Sequence, residues 1–247
     1  MTTGQHRRSD GPRLTAPEIR RRLMAHADPS SVPILQSFFK TAAGQYGEGD
    51  VFVGVRVPAI RNVCRECRGA GIRVLDSLLR SRVHEERLLA LLILVDAFEQ
   101  GDEAARRTVY TFYLSRTACI NSWDLVDSSA GAIVGAWLHE RSRAPLRRLA
   151  KSKLLWERRI AIVATHYFIR RDDLDETFRI ADVLLNDPHD LIHKSVGWML
   201  REAGNRDGAA ERRFLKTRYR RMPRTMLRYA IEKFPAAERR QYLQGTI

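Results

Sequence analysis

Apolar residues recur three and four positions apart along most of this chain, the spacing of helices that bury one face. In "VPAIRNVCRECR", for example, Ile60 and Val63 lie on the same side of a predicted helix. Sustained alternation of apolar and polar residues, the pattern of a half-buried strand, is nearly absent. The best candidate strand is "DVFVGVRV" (50–57), and Gly54 within it and Pro58 after it argue against that assignment. The sequence therefore predicts an all-α protein.

The predicted helices are short and follow one another after brief turns. They cover residues 16–27, 31–43, 57–68, 72–80, 84–99, 102–115, 123–140, 144–150, 156–170, 173–186, 189–203, 207–219, 223–233 and 235–243. They pair at a period of about 35 to 45 residues, close to that of HEAT-type repeats. Such pairs cannot bury their apolar faces alone, so they stack. We expect a solenoid (superhelix) of HEAT-like antiparallel helix pairs, with an irregular helical bundle as the alternative.

Three segments have the character of the inner helix of such a pair. They are "HEERLLALLILVDAF" (84–98), "WERRIAIVATHYFI" (156–169) and "HKSVGWMLREAG" (193–204). In each segment, charged or aromatic residues come before a dense apolar face. Stacked inner helices would present their exposed residues on the concave side of the solenoid, and we expect the binding site there.

The charge of the chain indicates its partner. Lysine and arginine number 43 against 29 aspartates and glutamates, which gives a formal net charge of +14, while 44% hydrophobic residues favour a packed globular protein. An excess of this size favours a polyanionic partner, and nucleic acid is the usual one. Arginine predominates, which suits forked contacts to phosphate oxygens, although a genome that favours arginine would give the same bias. We expect a basic concave face that binds DNA.

The N-terminal segment and the lengths of the apolar runs predict how the chain is organised and where the protein is located in the cell. Residues 1–13 are polar, basic and contain glycine and proline, so we expect a disordered leader there. Residues 14–247 are expected to form a single domain. No apolar run approaches the length of about twenty residues that spans a membrane, and no hydrophobic segment follows the basic N-terminus as in a signal peptide. The expected location is the cytoplasm, and no membrane partner is expected.

The predicted helix at 123–140 begins with an indole and two carboxylates, which are costly to bury without partners. Trp123 and Asp127 are four residues apart, so they project from the same face. Asp124 points away from that face and suits the positive end of the helix dipole, so it is interpreted as a helix-start residue. Spacing alone leaves two interpretations of Trp123 and Asp127: a partly buried pair with the aspartate on an arginine, or part of a site.

Two further segments carry candidate site residues. Arg158 and Arg159 precede the apolar face in "LLWERRIAIV", where the helix dipole disfavours cations unless they face an anion. A DNA phosphate would be such an anion. Trp198 lies beside Gly197, and a tryptophan there either approaches a ligand or packs closely in the core, which is the stronger expectation.

Two short patterns are similar to metal sites but lack further ligands. "CRECR" supplies Cys64 and Cys67 without the second pair or the histidines that zinc needs. "HDLIH" places His189 and His193 four residues apart, with no apparent third ligand and with aspartate where metalloproteases use glutamate. We expect no metal and no other cofactor.

Six segments occur in an order typical of one family: "FFKTAAGQYGEGDVFVGVRVPAIR" (38–61), "HEERLLALLIL" (84–94), "NSWDLVDSSA" (121–130), "LWERRIAIV" (155–163), "HKSVGWMLRE" (193–202) and "MPRTMLRYAIEKF" (222–234). Through them the chain resembles the DNA alkylation repair enzymes of the AlkD type, HEAT-like-repeat DNA glycosylases. The resemblance implies a catalytic set of Trp123, Asp127, Arg159 and Trp198. By the same resemblance, Arg158, Arg159 and Lys194 would contact DNA.

The resemblance also implies a reaction: hydrolysis of the N-glycosidic bond of purines alkylated at N3 or N7 in duplex DNA, which leaves an abasic site. Such a base is cationic and leaves readily, so the requirement is to stabilise an oxocarbenium-like sugar and orient water, tasks that suit Asp127. Trp123 and Trp198 would add cation–π attraction, and Arg159 would hold a phosphate. No lysine is placed to form a Schiff base, so a monofunctional enzyme is expected. We also expect the protein to be a monomer.

Two other functions remain compatible with the sequence. The first is a noncatalytic HEAT-repeat protein that binds distorted or branched DNA. The second is a HEAT scaffold whose basic face binds an acidic protein. Release of methylpurine from DNA would separate both from the glycosylase.

Overall fold

The computed structural model describes residues 14–247, and most of them are helical. The helices are α1 Ala16–Met24, α2 Val32–Ser37, α3 Val57–Glu66, α4 Ile72–Leu79, α5 His84–Gln100, α6 Glu103–Leu114, α7 Trp123–Asp127, α8 Ala136–Leu138, α9 Ala144–Ala150, α10 Leu155–Ala164, α11 His166–Ile169, α12 Asp175–Val183, α13 Asp190–Arg206, α14 Gly208–Lys216, α15 Arg224–Ala230 and α16 Ala236–Gln244. Short 3-10 turns cover Pro29–Ser31, Thr117–Cys119 and Ile231–Lys233, and a π-helical turn covers Gly131–Gly135.

Strand structure in residues 14–247 is limited to one isolated bridge between Val51 and Val83, at the edge of the candidate strand 50–57. The all-α prediction is therefore confirmed. The leader expected at residues 1–13 lies outside the described residues. Within the described part of the chain, no helix combines the length and the apolar character needed to cross a membrane.

The helices pack as a repeated arrangement around one row. α5, then α7 with α8, α10 with α11, α13 and α15 each pack against the next, and we call these helices the inner row. α4, α6, α9, α12 and α14 each pack against a helix of this row. This packing agrees with the predicted helical repeat, which is confirmed. The basic character of a concave face and the extent of a single domain over 14–247 stay predictions.

The central position of the inner row explains its composition. Leu89, Leu91 and Leu94 of α5 are fully buried, and α5 is buried on nearly every side of its first three turns. A helix that is apolar all round must lie inside a protein. In α10, Ile160 and Ile162 are also fully buried, so the dense apolar face predicted for this helix is a core face.

Two glycines allow the inner row to pack closely. A Cβ atom on Gly135 would lie 2.2 Å from the carbonyl oxygen of Ala164, and a Cβ atom on Gly197 would lie 2.5 Å from that of Met226. Only glycine leaves room for backbones this close. Gly197 thus brings α13 against α15, which explains why a glycine stands beside Trp198.

Most predicted helices differ from the observed ones by a few terminal residues, and three are cut short or interrupted. The helix expected at 31–43 ends at Ser37, because the aromatic residues after it pack into tertiary contacts instead of continuing the helix. The helix expected at 123–140 is interrupted after Asp127, where the hydroxyl of Ser129 donates to the carbonyl of Leu125 and a π-helical turn follows. The helix expected at 156–170 breaks at Thr165, whose hydroxyl donates to the carbonyl of Ile162.

Candidate active site

The four residues of the expected catalytic set line one cavity of about 500 Å³. Trp123 and Asp127 come from α7, Arg159 comes from α10 and Trp198 comes from α13. Lys194, expected to bind DNA, lines the same cavity. The other lining residues are Ser37, Phe38, Phe39, Lys40, Tyr46, Asp190, Leu191, Ser195, Arg201 and Tyr229. The structure thus brings together residues 75 positions apart in sequence, from 123 to 198.

Asp127 forms a bidentate ion pair with Arg159. Nε of Arg159 donates to Oδ1 of Asp127 at 2.9 Å, and Nη2 donates to Oδ2 at 2.8 Å. Nη1 donates to the carbonyl of Leu191 at 2.7 Å, so each nitrogen of the guanidinium has a protein partner. The side chains of Arg159 and Asp127 are 6% and 19% exposed. This geometry fixes the carboxylate in the cavity wall.

The surroundings of Asp127 act on its charge in opposite directions. Burial raises the pKa of the Asp127 carboxyl, because an ion loses hydration in the protein interior. The guanidinium of Arg159 lowers the pKa, while the nearby Asp124 carboxylate raises it. The net effect is a pKa above the ordinary value for an aspartate, so Arg159 is the group that favours the ionised form of a partly desolvated carboxylate.

The two tryptophans keep part of their surface accessible. Trp123 and Trp198 are both half-buried. Trp123 stacks on Phe39 with ring centroids 5.5 Å apart and planes 19° apart. The indole nitrogen of Trp198 donates to Glu202 at 3.1 Å, so its polar edge is satisfied within α13 and its ring remains at the cavity.

Arg158 and Lys194, the other residues expected to bind DNA, have carboxylate partners of their own. Nε of Arg158 donates to Asp187 at 2.6 Å, and its Nη1 donates to the carbonyls of Ser152 and Lys153. Nζ of Lys194 lies 3.2 Å from Asp190, and 41% of the Lys194 side chain is exposed. The anions that offset the helix-start arginines therefore come from the protein in this structure, and contacts to phosphate stay predictions.

The sequence did not identify several side chains next to the cavity. Asp124 lies in the first turn of α7 as expected, but its Oδ2 also lies 2.7 Å from Nε2 of His84, which begins α5. Phe39 covers one face of Trp123. A signal for His84 was present, since it is the first of the polar residues ahead of the apolar face in the segment 84–98.

A second cavity of about 470 Å³ adjoins the first at Asp127. It contains four arginines, Arg106, Arg141, Arg170 and Arg171. Arg141 lies over the ring of Trp137, and Arg171 lies over the ring of Tyr167. Trp123, Arg159 and Trp198 are not among its lining residues, so the candidate site is assigned to the first cavity.

In the two patterns that are similar to metal sites, His189 caps a helix and both cysteines are buried. Nδ1 of His189 accepts a hydrogen bond from the backbone N–H of Leu191 at the start of α13. Cys64 and Cys67 are buried, and burial raises the pKa of the Cys64 thiol to about 11. Among the residues that the structure describes, no three histidine, cysteine or acidic side chains group as metal ligands.

Fold and site together define an all-α helical-repeat protein whose inner helices place a carboxylate, an arginine and two tryptophans around one cavity. A family model described as DNA alkylation repair enzyme matches residues 19–234, and the chain belongs to this family. The family assignment expected from the motifs is thus confirmed, and it supports a role in DNA repair with DNA as substrate.

The fold is also found in a solved structure. The chain is similar to the "Predicted DNA alkylation repair enzyme from Enterococcus faecalis", with a TM-score of 0.64 over 85% of this chain and 98% of the other. The two sequences are 14% identical, so the likeness concerns the fold. No curated protein matches the chain significantly.

Proposed function

We propose that the protein is a monofunctional DNA glycosylase that hydrolyses the N-glycosidic bond of purines carrying a positive charge from alkylation at N3 or N7. The observation that carries this proposal is the position of Asp127. In a protein of a DNA alkylation repair family, a half-buried carboxylate fixed by Arg159 lies in the wall of the cavity that Trp123 and Trp198 also line.

The reaction places specific demands on the carboxylate. As the bond between C1′ and the purine nitrogen breaks, its electron pair neutralises the cationic base and positive charge develops on the sugar. Asp127 stabilises that charge and accepts a proton from the water whose oxygen bonds to C1′. A carboxylate held at two oxygens keeps its orientation while charge develops, which is the purpose of preorganised electrostatic groups.

The aromatic and basic side chains have supporting roles in this proposal. The accessible faces of Trp123 and Trp198 attract the cationic nucleoside. Lys194, which lines the cavity, offers a cation to the DNA backbone. Arg158 pairs with Asp187 and does not line the cavity, so its contact with DNA would lie outside it. Arg159 uses three of its five N–H groups on protein oxygens, so its first role is to orient Asp127, with two N–H groups left for a phosphate.

The test compares release of free base from duplex DNA containing 7-methylguanine. Wild type is expected to release it, and Asp127→Asn is expected to be slower by about a hundredfold or more, the usual contribution of a group that moves a proton. Asp173→Asn is the matched control, because Asp173 is also paired with an arginine, Arg143, but lies outside both cavities. This control is expected to retain release.

Other outcomes would identify the rival functions. Salt-sensitive DNA binding without release from any variant would indicate a noncatalytic DNA-binding protein. Absent or salt-insensitive DNA binding would indicate a protein scaffold. Because Lys40 and Lys194 line the cavity, borohydride trapping on abasic DNA checks the monofunctional assignment, and no covalent adduct is expected.

The charge of the leaving group provides a second test. If Asp127 works on a base that is already cationic, uncharged lesions such as uracil and ethenoadenine are expected to leave much more slowly than 7-methylguanine. Equal rates for charged and uncharged bases would refute the mechanism while leaving DNA repair in place.

A further inference from the structure

A buried histidine lies at the junction of three segments beside the candidate site. His84 is the first residue of α5, and its side chain is 3% exposed. Its Nδ1 lies 3.1 Å from Oδ2 of Asp50, which precedes α3 in the chain. Its Nε2 lies 2.7 Å from Oδ2 of Asp124 in the first turn of α7. His84 therefore connects the segment 38–50 to the helix that carries Trp123 and Asp127.

The imidazole is also part of an aromatic cluster that reaches the cavity. The centroid of its ring lies 4.7 Å from the ring centroid of Phe39 and 4.7 Å from the ring centroid of Phe52. Phe39 stacks in turn on Trp123. His84 therefore contacts the aromatic side chain that covers one face of Trp123.

The two carboxylates at the imidazole favour one protonation state. A neutral imidazole carries a single N–H, whereas the imidazolium carries one on each nitrogen and can donate to Asp50 and Asp124 together. Burial acts to lower the pKa of His84, but the hydrogen bonds to Asp124 and Asp50 outweigh it and raise the pKa. Arg87 opposes the increase, and it pairs with Asp50 at 2.6 Å. Among residues 14–247, the charged groups within hydrogen-bond distance of the ring nitrogens are Asp50, Asp124 and Arg87, whose Nη2 lies 3.4 Å from Nδ1.

We propose that His84 is a positioning residue of the candidate site: as an imidazolium it ties the segment 38–50 to the first turn of α7 and holds Trp123 against Phe39. This inference rests on the proposed glycosylase function. When His84 loses its proton, one of its two hydrogen bonds is lost. Trp123 is then less firmly held, so base release is expected to slow as the pH rises through the pKa of His84.

The test is the pH profile of single-turnover release of 7-methylguanine by the full-length protein. We expect wild type to show a descending limb at the pKa that NMR assigns to the His84 ring. His84→Gln is expected to lack this limb and to release base about ten- to a hundredfold more slowly near neutral pH, the range that misplacement of a positioned group costs. DNA affinity should change little.

Two further variants separate positioning from a general loss of structure. His139→Gln removes a different, half-buried histidine that faces a carboxylate, Asp173, but lines neither cavity, and it is expected to keep the wild-type profile. Asp124→Asn keeps an acceptor for Nε2 but removes one of the two charges, and it should shift the limb to lower pH. An unshifted limb in Asp124→Asn, or a wild-type limb in His84→Gln, would overturn the inference.

A structural readout keeps this inference distinct from the proposed function. NMR contacts between the rings of Trp123 and Phe39 are expected to weaken as His84 loses its proton, whether or not the protein releases base. Absence of base release together with this change would reject the glycosylase and retain the coupling. Release with no change in these contacts would reject the coupling and retain the glycosylase.

Discussion

Replacing Arg159 with methionine would remove the guanidinium from Asp127 and leave the apolar volume of α10 nearly intact. The variant would leave a carboxylate that is 19% exposed without its bidentate partner, and the carbonyl of Leu191 without its side-chain donor. A buried ion that loses its partner is strongly destabilising, whereas the net value of the intact pair is small. The decrease in the free energy of unfolding of this variant therefore measures how much Arg159 stabilises the folded state through Asp127.

The expected loss follows from this burial. Breaking a buried ion pair costs about 3–5 kcal/mol. Since Asp127 keeps some exposure, we expect the lower end, about 3 kcal/mol, which is close to a hundredfold change in the unfolding equilibrium. Arg143→Met serves as the control, because Arg143 and Asp173 are 20% and 29% exposed and a more hydrated pair is worth about 1 kcal/mol or less.

The loss of stability in Arg159→Met should be larger at neutral pH than at acidic pH. Without Arg159, burial raises the pKa of Asp127 in the folded state further above its value in the unfolded chain, so the folded state binds the proton more tightly. Stability relative to wild type then recovers as the pH falls and Asp127 becomes neutral. We expect the difference in unfolding free energy, measured by chemical denaturation, to be largest near about pH 7 and smaller near about pH 5.

Two results would refute this reasoning. A loss below about 1 kcal/mol that does not change with pH would mean that Asp127 is hydrated enough to do without Arg159. The second result is unchanged stability combined with weaker DNA binding, in which the salt dependence of the affinity corresponds to about one fewer phosphate contact. It would mean that Arg159 acts on DNA and not on Asp127.

Two further substitutions test the packing of α14 and α15 against α13, the helix that carries Trp198. Glu211 is buried without a partner for its Oε1 among the described residues, and burial raises its pKa to about 8. The folded state therefore holds a proton that the unfolded chain releases, so stability of wild type should fall with rising pH between about 4.5 and 8, by up to about 1.4 kcal/mol per pH unit. Glu211→Gln should abolish this slope in denaturation measurements. Gly197→Ala forces a Cβ to within 2.5 Å of the Met226 carbonyl oxygen, so it should cost about 1–3 kcal/mol in thermal unfolding and slow base release through the neighbouring Trp198. Wild-type stability in Gly197→Ala would show that α15 moves aside freely.

Local spacing predicts most of this fold because each repeat buries its apolar face in the same way. The periodicity that predicts α5, α10 and α13 depends on residues three and four apart, and tertiary packing reinforces it. The same spacing places Trp123 and Asp127 on one face, and the structure places both in one cavity. Spacing could not decide between a buried pair and a site, and in the structure Asp127 has both features, an arginine partner and access to a cavity.

The parts that spacing could not predict depend on long-range contacts. Nothing local indicates that Phe39 leaves a helical pattern to stack on Trp123, 84 positions away. His84 likewise meets its carboxylates 34 residues before it and 40 residues after it. Such pairings depend on how repeats are stacked, and a single sequence contains the residues without the stacking geometry. The residues missed near the cavity are therefore those whose partners lie in other repeats.

The position of Arg159 shows how stacking builds the site. Asp127 lies 32 residues before it and Leu191 lies 32 residues after it, and both accept hydrogen bonds from its guanidinium. Residues one repeat apart become lateral neighbours when helices stack, so this side chain connects α7, α10 and α13. A lysine offers one compact charge without a planar fork, so it cannot make the bidentate pair and reach the Leu191 carbonyl together. Since α13 also carries Trp198, an arginine at 159 fixes the carboxylate and the second tryptophan relative to each other.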